Sequence, residues 1–389
     1  MINFAHTLKL TSLAAATILL TACGGSSNNN SQTPPQNTTP PPVSNEVDYQ
    51  ALIEQRISDI VPGIVLYIDS PDKQFWGSAG VSNLDTQAPM PVDAVIPNGS
   101  SGKKATALLA NMLYEEGYID FDVPISTYLS QEVLSHIQYS EQITLRMLLT
   151  HTSGVYDYLE GDAFFEAVLE DQLTLKTDSY ALKFAYDMPA YNEPGEEFHY
   201  SNSGYLLVGL ILDSVLGEHH SAEMRKRIFE PFGFTSMHYG AVEREQYDTA
   251  SGYLLYDGVM VDTKAFYERI GVADAPLVAN VEDIANLLKV IVTDDPMISE
   301  ESHARLRGDG DHIKISEGFY AGMGIFKQNI GGHTVYHHGG EEAGYSTLSL
   351  YIPESDTSIT AFLTCGAQTQ CEVEVNSFLN QLYEIEFDK

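Results

Sequence analysis

The chain is predicted to fold as an α+β protein: an antiparallel sheet built from both chain ends and flanked by helices, with an inserted, mostly helical lobe. Three observations predict it. Runs with a period near two lie at both ends of the globular part, the stretch between them carries helical stripes, and 389 residues, 43% of them hydrophobic, are ample for a large core.

The N-terminal strands are Ile64–Asp69 (IVLYID) and Gln74–Gly80 (QFWGSAG), joined by Ser70-Pro71-Asp72-Lys73, with proline early in the turn and aspartate after it. After Ser100 the period changes. Ala105, Leu108, Leu109, Met112 and Leu113 fall on one helical face, and Gly117 supplies the stop. Leu206, Leu207, Leu210, Ile211 and Val215 make a second stripe ending at Gly217, and Ile284, Ala285, Leu287, Leu288, Val290 and Ile291 a third. Toward the C-terminus Tyr320–Lys327, Gly332–His337, Tyr345–Tyr351 and Ser358–Leu363 read as strands, followed by a helix over Glu372–Tyr383. The globular domain is thus residues 47–389, with a helical lobe over roughly 100–300 and a site expected in the cleft between lobes.

Residues 1–22 read as an export signal, with Lys9 ahead of an apolar stretch too short to span a bilayer comfortably. Leu20-Thr21-Ala22-Cys23 resembles a bacterial lipobox, which implies acylation of Cys23 and attachment to a membrane by lipid alone. An ordinary secretory cleavage near Ala22 is the alternative. Gly24 after the cysteine, by resemblance to Gram-negative sorting rules, implies a cell-envelope lipoprotein of the outer membrane facing the periplasm, or of the cell surface. Residues 23–46 are a tether, because 24–45 hold only Gly, Ser, Asn, Gln, Thr, Pro and one Val, which bury no core.

The charge is lopsided, 54 acidic against 20 basic residues for a formal net of −34, which excludes nucleic acid as a natural partner. Cys365 and Cys371, six apart, either close a short loop in an oxidising compartment or stay buried as free thiols.

Three segments carry chemistry. Gly99-Ser100-Ser101-Gly102-Lys103-Lys104 opens the first helix, where a serine hydroxyl lies near free backbone N–H groups and a lysine three residues on shares its face. Two registers compete, Ser100/Lys103 and Ser101/Lys104. A lysine accepts a proton only when burial or nearby positive charge lowers its pKa. In Tyr200-Ser201-Asn202 a phenol able to relay protons sits two residues from an amide able to hold a substrate amide. In His337-His338-Gly339-Gly340-Glu341-Glu342 the glycines let a ligand approach the backbone. Singly, each segment also reads as a cap, a buried tyrosine or a strand end.

Together their order resembles the serine beta-lactamase and penicillin-binding protein family, in particular its class C-like branch and the D-alanyl-D-alanine carboxypeptidases. Leu148–Gly154 (LLTHTSG), Val155-Tyr156-Asp157-Tyr158 and Arg227–Phe234 (RIFEPFGF) match further, so the resemblance covers about residues 55–385. It implies a beta-lactamase/transpeptidase-like fold and selects Ser100, with Gly102, Lys103, Thr106 and Ala107, as the nucleophile's register. It also selects His338 over His337, by the spacing to Gly344-Tyr345. It implies Ser100, Lys103 and Tyr200 as catalytic residues. Asn202, His338, Gly339, Gly340, Glu341, Tyr156 and Phe326 are implied around the substrate, with the oxyanion between the N–H groups of Ser100 and Glu341. No metal or cofactor is implied. The activity expected is hydrolysis of a small acyl ester or peptide through an acyl-enzyme. Beta-lactamase action and a catalytically silent envelope lipoprotein binding peptidoglycan or a protein are the alternatives. Phe326 and Lys327 follow Gly322-Met323-Gly324-Ile325, where such carboxypeptidases can carry an arginine, and Lys327 should point away. Glu341 and Glu342 are expected to add negative charge beside the site.

Overall fold

The computed structural model describes residues 47–171, 174–256, 258–310 and 313–387. The expected signal segment, the Cys23 lipidation site and the tether lie outside them. No helix among the described residues is long and apolar enough to cross a membrane.

Ten strands form the main sheet: β1 (Gly63–Ser70), β2 (Lys73–Asn83), β3 (Ala88–Pro89), β4 (Ile313–Ser316), β5 (Phe319–Ala321), β6 (Phe326–Ile330), β7 (His333–His337), β8 (Gly340–Glu342), β9 (Tyr345–Ile352) and β10 (Thr357–Leu363). The order is β3-β2-β1-β10-β9-β7-β6-β5-β4, with β8 paired to β9. The two chain ends meet at its centre, where β1 runs antiparallel to β10 and Ile64 faces Leu363. Alternation then sorts side chains to two cores. Ile64, Leu66, Ile68, Leu348, Leu350, Ile359 and Ala361 pack on one face, and Val65, Tyr67, Tyr351 and Phe362 on the other.

Five helices matter here: α1 (Tyr49–Glu54), α2 (Lys103–Glu115), α3 (Asn202–Leu216), α4 (Val281–Val292) and α5 (Thr369–Phe387). Residues of α1 and α5 join the first core, while α2, α3 and α4 join the second. Gly117 and Gly217 take left-handed conformations just past α2 and α3, as their sequence positions suggest. Cys365 and Cys371 are disulfide-bonded, tying the residues after β10 to the first turn of α5.

Two expectations are corrected. Tyr320–Lys327 is not one strand but β5 and β6 joined by a tight turn, in which Gly322 N–H donates to Ile325 O at 2.9 Å. Gly324 in that turn has φ +73°, and a Cβ there would lie 2.8 Å from the carbonyl oxygen of Lys103. The lobe between the sheet halves also holds short strands: Ile96–Pro97, Leu277–Ala279 and His238–Tyr239 form one small sheet, and Tyr253–Tyr256 with Val259–Asp262 another. Strands this short leave almost no periodicity to read.

Lys104, one residue past the expected catalytic lysine, is wholly buried against the sheet. Its ammonium donates to Ser101 Oγ at 2.9 Å and Ser349 Oγ at 2.8 Å. Burial pushes its pKa down to about 7. The unfolded chain holds that proton up to about pH 10.4. Between the two values the unfolded state binds more protons, so stability climbs as pH rises from about 7 to 10, by an order of 4 kcal/mol. Denaturant titrations across that window check this. Lys104→Met should flatten the slope and raise Tm at pH 7.

Candidate active site

The chain enters α2 through a 3₁₀ turn, Gly99–Gly102, which leaves Ser100 partly exposed while Lys103 is completely buried. Lys103 Nζ lies 3.0 Å from Ser100 Oγ, 2.7 Å from Asn202 Oδ1 and 2.7 Å from the backbone oxygen of Asp274. Two of these neighbours only accept hydrogen bonds, and the third is a hydroxyl. A neutral amine has two N–H bonds and one lone pair, and so fits the trio: it donates to Asn202 and Asp274 and accepts from Ser100. Burial pushes the Lys103 pKa down to about 8, against the opposing pull of Asp274, Asp157 and Glu342.

Tyr200 closes the other side. Its hydroxyl faces Ser100 and lies 3.5 Å from His338 Nε2. The His338 Nδ1 position is 2.7 Å from Gly324 O, an acceptor only, so Nδ1 carries the proton and Nε2 offers a lone pair toward the phenol. Burial first, then the two lysines, holds His338 well below its usual pKa and hence neutral. Burial pushes the Tyr200 phenol up.

The glycine-rich strand faces the nucleophile closely. A Cβ on Gly340 would fall 1.9 Å from Asn98 O and 3.0 Å from Ser100 N, so only glycine permits β8 to lie against the turn. This places the backbone amides of Ser100 and Glu341 along facing edges. Ser100, Tyr200, Asn202, His338, Gly339, Gly340, Glu341 and Phe326 all line one cleft of about 270 Å³. Phe326 packs 4.9 Å from the His338 ring, while Lys327 turns to the Tyr336 ring on the opposite side of β6.

Tyr156 does not line the cleft. Its ring stacks on Tyr191 at 5.5 Å, because Tyr191 OH and Ser203 Oγ hold the backbone N–H groups of Asp157 and Tyr158, which turns Tyr158 inward instead. The expected negative charge is also reduced, because burial raises the pKa of both Glu341 and Glu342. Glu342 has its pKa pushed up to about 8, first by burial and then by Asp274, so it is mostly protonated at pH 7.

Two residues were missed. Asp157 is buried and accepts from Asn202 N at 3.1 Å and Asn202 Nδ2 at 2.9 Å, which fixes that amide with its oxygen toward Lys103. Asp274 sits 4.0 Å from Lys103 Nζ and accepts from Tyr158 OH at 3.3 Å. Burial raises its pKa to about 6. Only the HTSG-Val-Tyr-Asp strip hinted at Asp157; nothing local marks Asp274.

An antiparallel sheet beside a helical lobe, with a serine–lysine pair at the seam, defines the beta-lactamase and transpeptidase class of folds. The chain belongs to the Beta-lactamase family, whose family model matches residues 50–380. PbpX of Bacillus subtilis (strain 168) is 25% identical over 293 residues, which is 74% of this chain and 65% of that one. The chain therefore spans just under two thirds of that curated relative's length. Among solved structures, the octameric penicillin-binding protein homologue of Pyrococcus abyssi matches with TM-score 0.71 and 26% identity, covering 85% of this chain and 76% of that one. A D-stereospecific amidohydrolase of Streptomyces sp. shares the fold at TM-score 0.70 and 22% identity, covering 84% and 96%.

Proposed function

We propose that this protein is a serine hydrolase of esterase or peptidase type that works through an acyl-enzyme on Ser100. The observation that carries this is the Lys103 environment, with Ser100 Oγ 3.0 Å away and two acceptors saturating the amine's N–H bonds. Neutral Lys103 takes the Ser100 proton as Oγ attacks the acyl carbon. The developing oxyanion lies between the Ser100 and Glu341 N–H groups. The proton taken by Lys103 passes, with Tyr200 as relay, to the leaving amine or alcohol as its bond to the acyl carbon breaks; water then attacks the ester, and its proton returns to Ser100 Oγ as the acid departs. Asn202 holds the substrate's amide or ester oxygen. The names of similar proteins, a penicillin-binding protein homologue and a D-stereospecific amidohydrolase, support acyl transfer at carbonyl carbon. Among the described residues the cleft lining has no arginine or lysine to grip a terminal carboxylate, which favours ester or amide hydrolysis over carboxypeptidase or beta-lactamase action.

The test is covalent labelling with a fluorophosphonate and with a fluorescent penicillin, followed by peptide mapping. The expected adduct is on Ser100. No adduct on folded protein would favour a silent binding protein, and rapid turnover of a chromogenic cephalosporin would restore the beta-lactamase reading. The lipobox-like Leu20–Cys23 and the tether support a lipid-anchored position in the cell envelope. Mass spectrometry of the mature N-terminus should show diacylglycerol on Cys23.

A further inference from the structure

Strand β8 is only three residues long, and Glu341 at its middle lies opposite Ser346 of β9. A donor aimed at a developing oxyanion must be held to within about 0.5 Å, more than so short a ladder secures alone. Two side chains add to it. Glu341 Oε1 accepts from the Ala367 N–H at 2.8 Å. Ser346 Oγ donates to Cys365 O at 2.8 Å and lies 3.7 Å from Cys371 Sγ. Both contacts fall on one loop, residues 365–371, closed by the Cys365–Cys371 disulfide.

That loop is pressed against the β8–β9 hairpin. A Cβ on Gly366 would fall 2.2 Å from both Glu342 O and Tyr345 O, so only glycine permits the approach. Gly344 N–H donates to Gly366 O at 3.3 Å. Ala367, whose N–H meets Glu341, has φ +53°, a left-handed conformation that an alanine keeps only where its surroundings impose it. The disulfide anchors this loop to the first turn of α5, whose Phe378 and Leu382 are fully buried in the first core. On its other side β8 meets the nucleophile's turn, where a Cβ on Gly99 would lie 2.9 Å from Glu341 N. A line of contacts therefore runs from α5, through the disulfide loop and the Glu341 carboxyl, to the backbone amide beside Ser100.

We propose that the Glu341 carboxyl and the Cys365–Cys371 loop are positioning groups for the oxyanion site, holding the Glu341 N–H where the acyl oxygen gains charge. The Glu341 side chain serves the reaction through its own backbone. The disulfide serves it by fixing the loop that this side chain grips. This rests on the serine-hydrolase reading and adds to it the parts that hold one oxyanion donor in place.

The test follows hydrolysis of p-nitrophenyl butyrate by the purified protein. Glu341→Ala should lower kcat by about tenfold, a part of the roughly 10²- to 10³-fold that losing an oxyanion donor costs. KM should stay within about twofold, because the weakened interaction is made in the transition state. Glu341→Gln keeps an acceptor oxygen for Ala367 N–H and should recover kcat to within about threefold of the parent. The paired change Cys365→Ser and Cys371→Ser should reproduce the Glu341→Ala loss. All three together should cost little more than either alone, since they cut the same line of support. Losses that multiply to about a hundredfold overturn the proposal. So does a Glu341→Ala protein whose Tm falls while kcat holds, or whose KM rises with kcat unchanged. Should the cysteine variant not fold, the contrast of alanine with glutamine at position 341 decides, and equal kcat in the two overturns the proposal. Fluorophosphonate labelling of the parent separates the two levels. An adduct on Ser100 with parental kcat in Glu341→Ala overturns this proposal alone; no adduct and no butyrate hydrolysis in the parent overturns the hydrolase reading with it.

Discussion

Ser100→Ala is expected to lower kcat/KM for any ester substrate by about 10⁵-fold and to abolish fluorophosphonate labelling, because removal of a covalent nucleophile leaves only binding and the oxyanion donors. Ser101→Ala should stay within a few-fold of the parent. The two serines are adjacent and each has a lysine three residues on, so the contrast tests the register directly. Ser100 is partly open to the cleft, and Lys103 Nζ lies 3.0 Å from its hydroxyl. Ser101 is wholly buried and its hydroxyl accepts from Lys104 at 2.9 Å. Its loss should cost about 1 kcal/mol of stability, as one hydrogen bond fewer to a buried amine. Circular dichroism melts beside progress curves separate the two effects.

The second large effect concerns Lys103. Lys103→Ala should reduce kcat/KM by about 10³-fold, within the range for loss of a general base, and Lys103→Arg should not restore it, since guanidinium stays protonated. The parent enzyme should gain activity as pH rises through about 8, because burial lowers the Lys103 pKa to that value and only the neutral amine accepts a proton. Asp274 opposes that lowering. Asp274→Asn should therefore move the rising limb to lower pH. Tyr200 cannot supply this limb, since burial pushes its phenol upward, away from neutrality. A pH–kcat/KM profile of the parent and the Asp274 variant decides the matter; a limb that does not move would assign it elsewhere.

Much of this was legible beforehand. Strands β1, β9 and β10 were legible as short, strongly apolar runs because both faces of the sheet are covered there and nearly every position is buried. Helices α2 and α3 end on glycines whose positive φ the sequence pattern anticipates. Ser100, Lys103, Tyr200 and the glycine strand could be named as candidates because each motif is local, and the structure brings them together at one cleft. What stayed hidden depends on burial or on distant partners. Gly322–Ile325 alternates small and apolar residues, which mimics a strand, yet Gly324 makes the chain turn against α2. Asp274 is one among 54 acidic residues, and nothing beside it in sequence says that it faces Lys103. Tyr156 and Tyr158 share a spacing and a type; Tyr191 and Ser203, both far along the chain, decide which turns inward.

The pairing of β1 with β10 has a consequence for how this protein comes into being. The first strand made lies between its hairpin partner and the last strand made. On a ribosome, the N-terminal hairpin must wait for β10 to emerge before its open edge is filled. Pairing across so much chain is slow, since loop closure must precede the contacts that reward it. The same adjacency brings α1 and α5 together, where Lys73 Nζ bonds both Tyr49 OH and Glu386 Oε1. A circular permutant joined there and opened in a surface loop should keep the sheet while reversing the order in which its halves emerge.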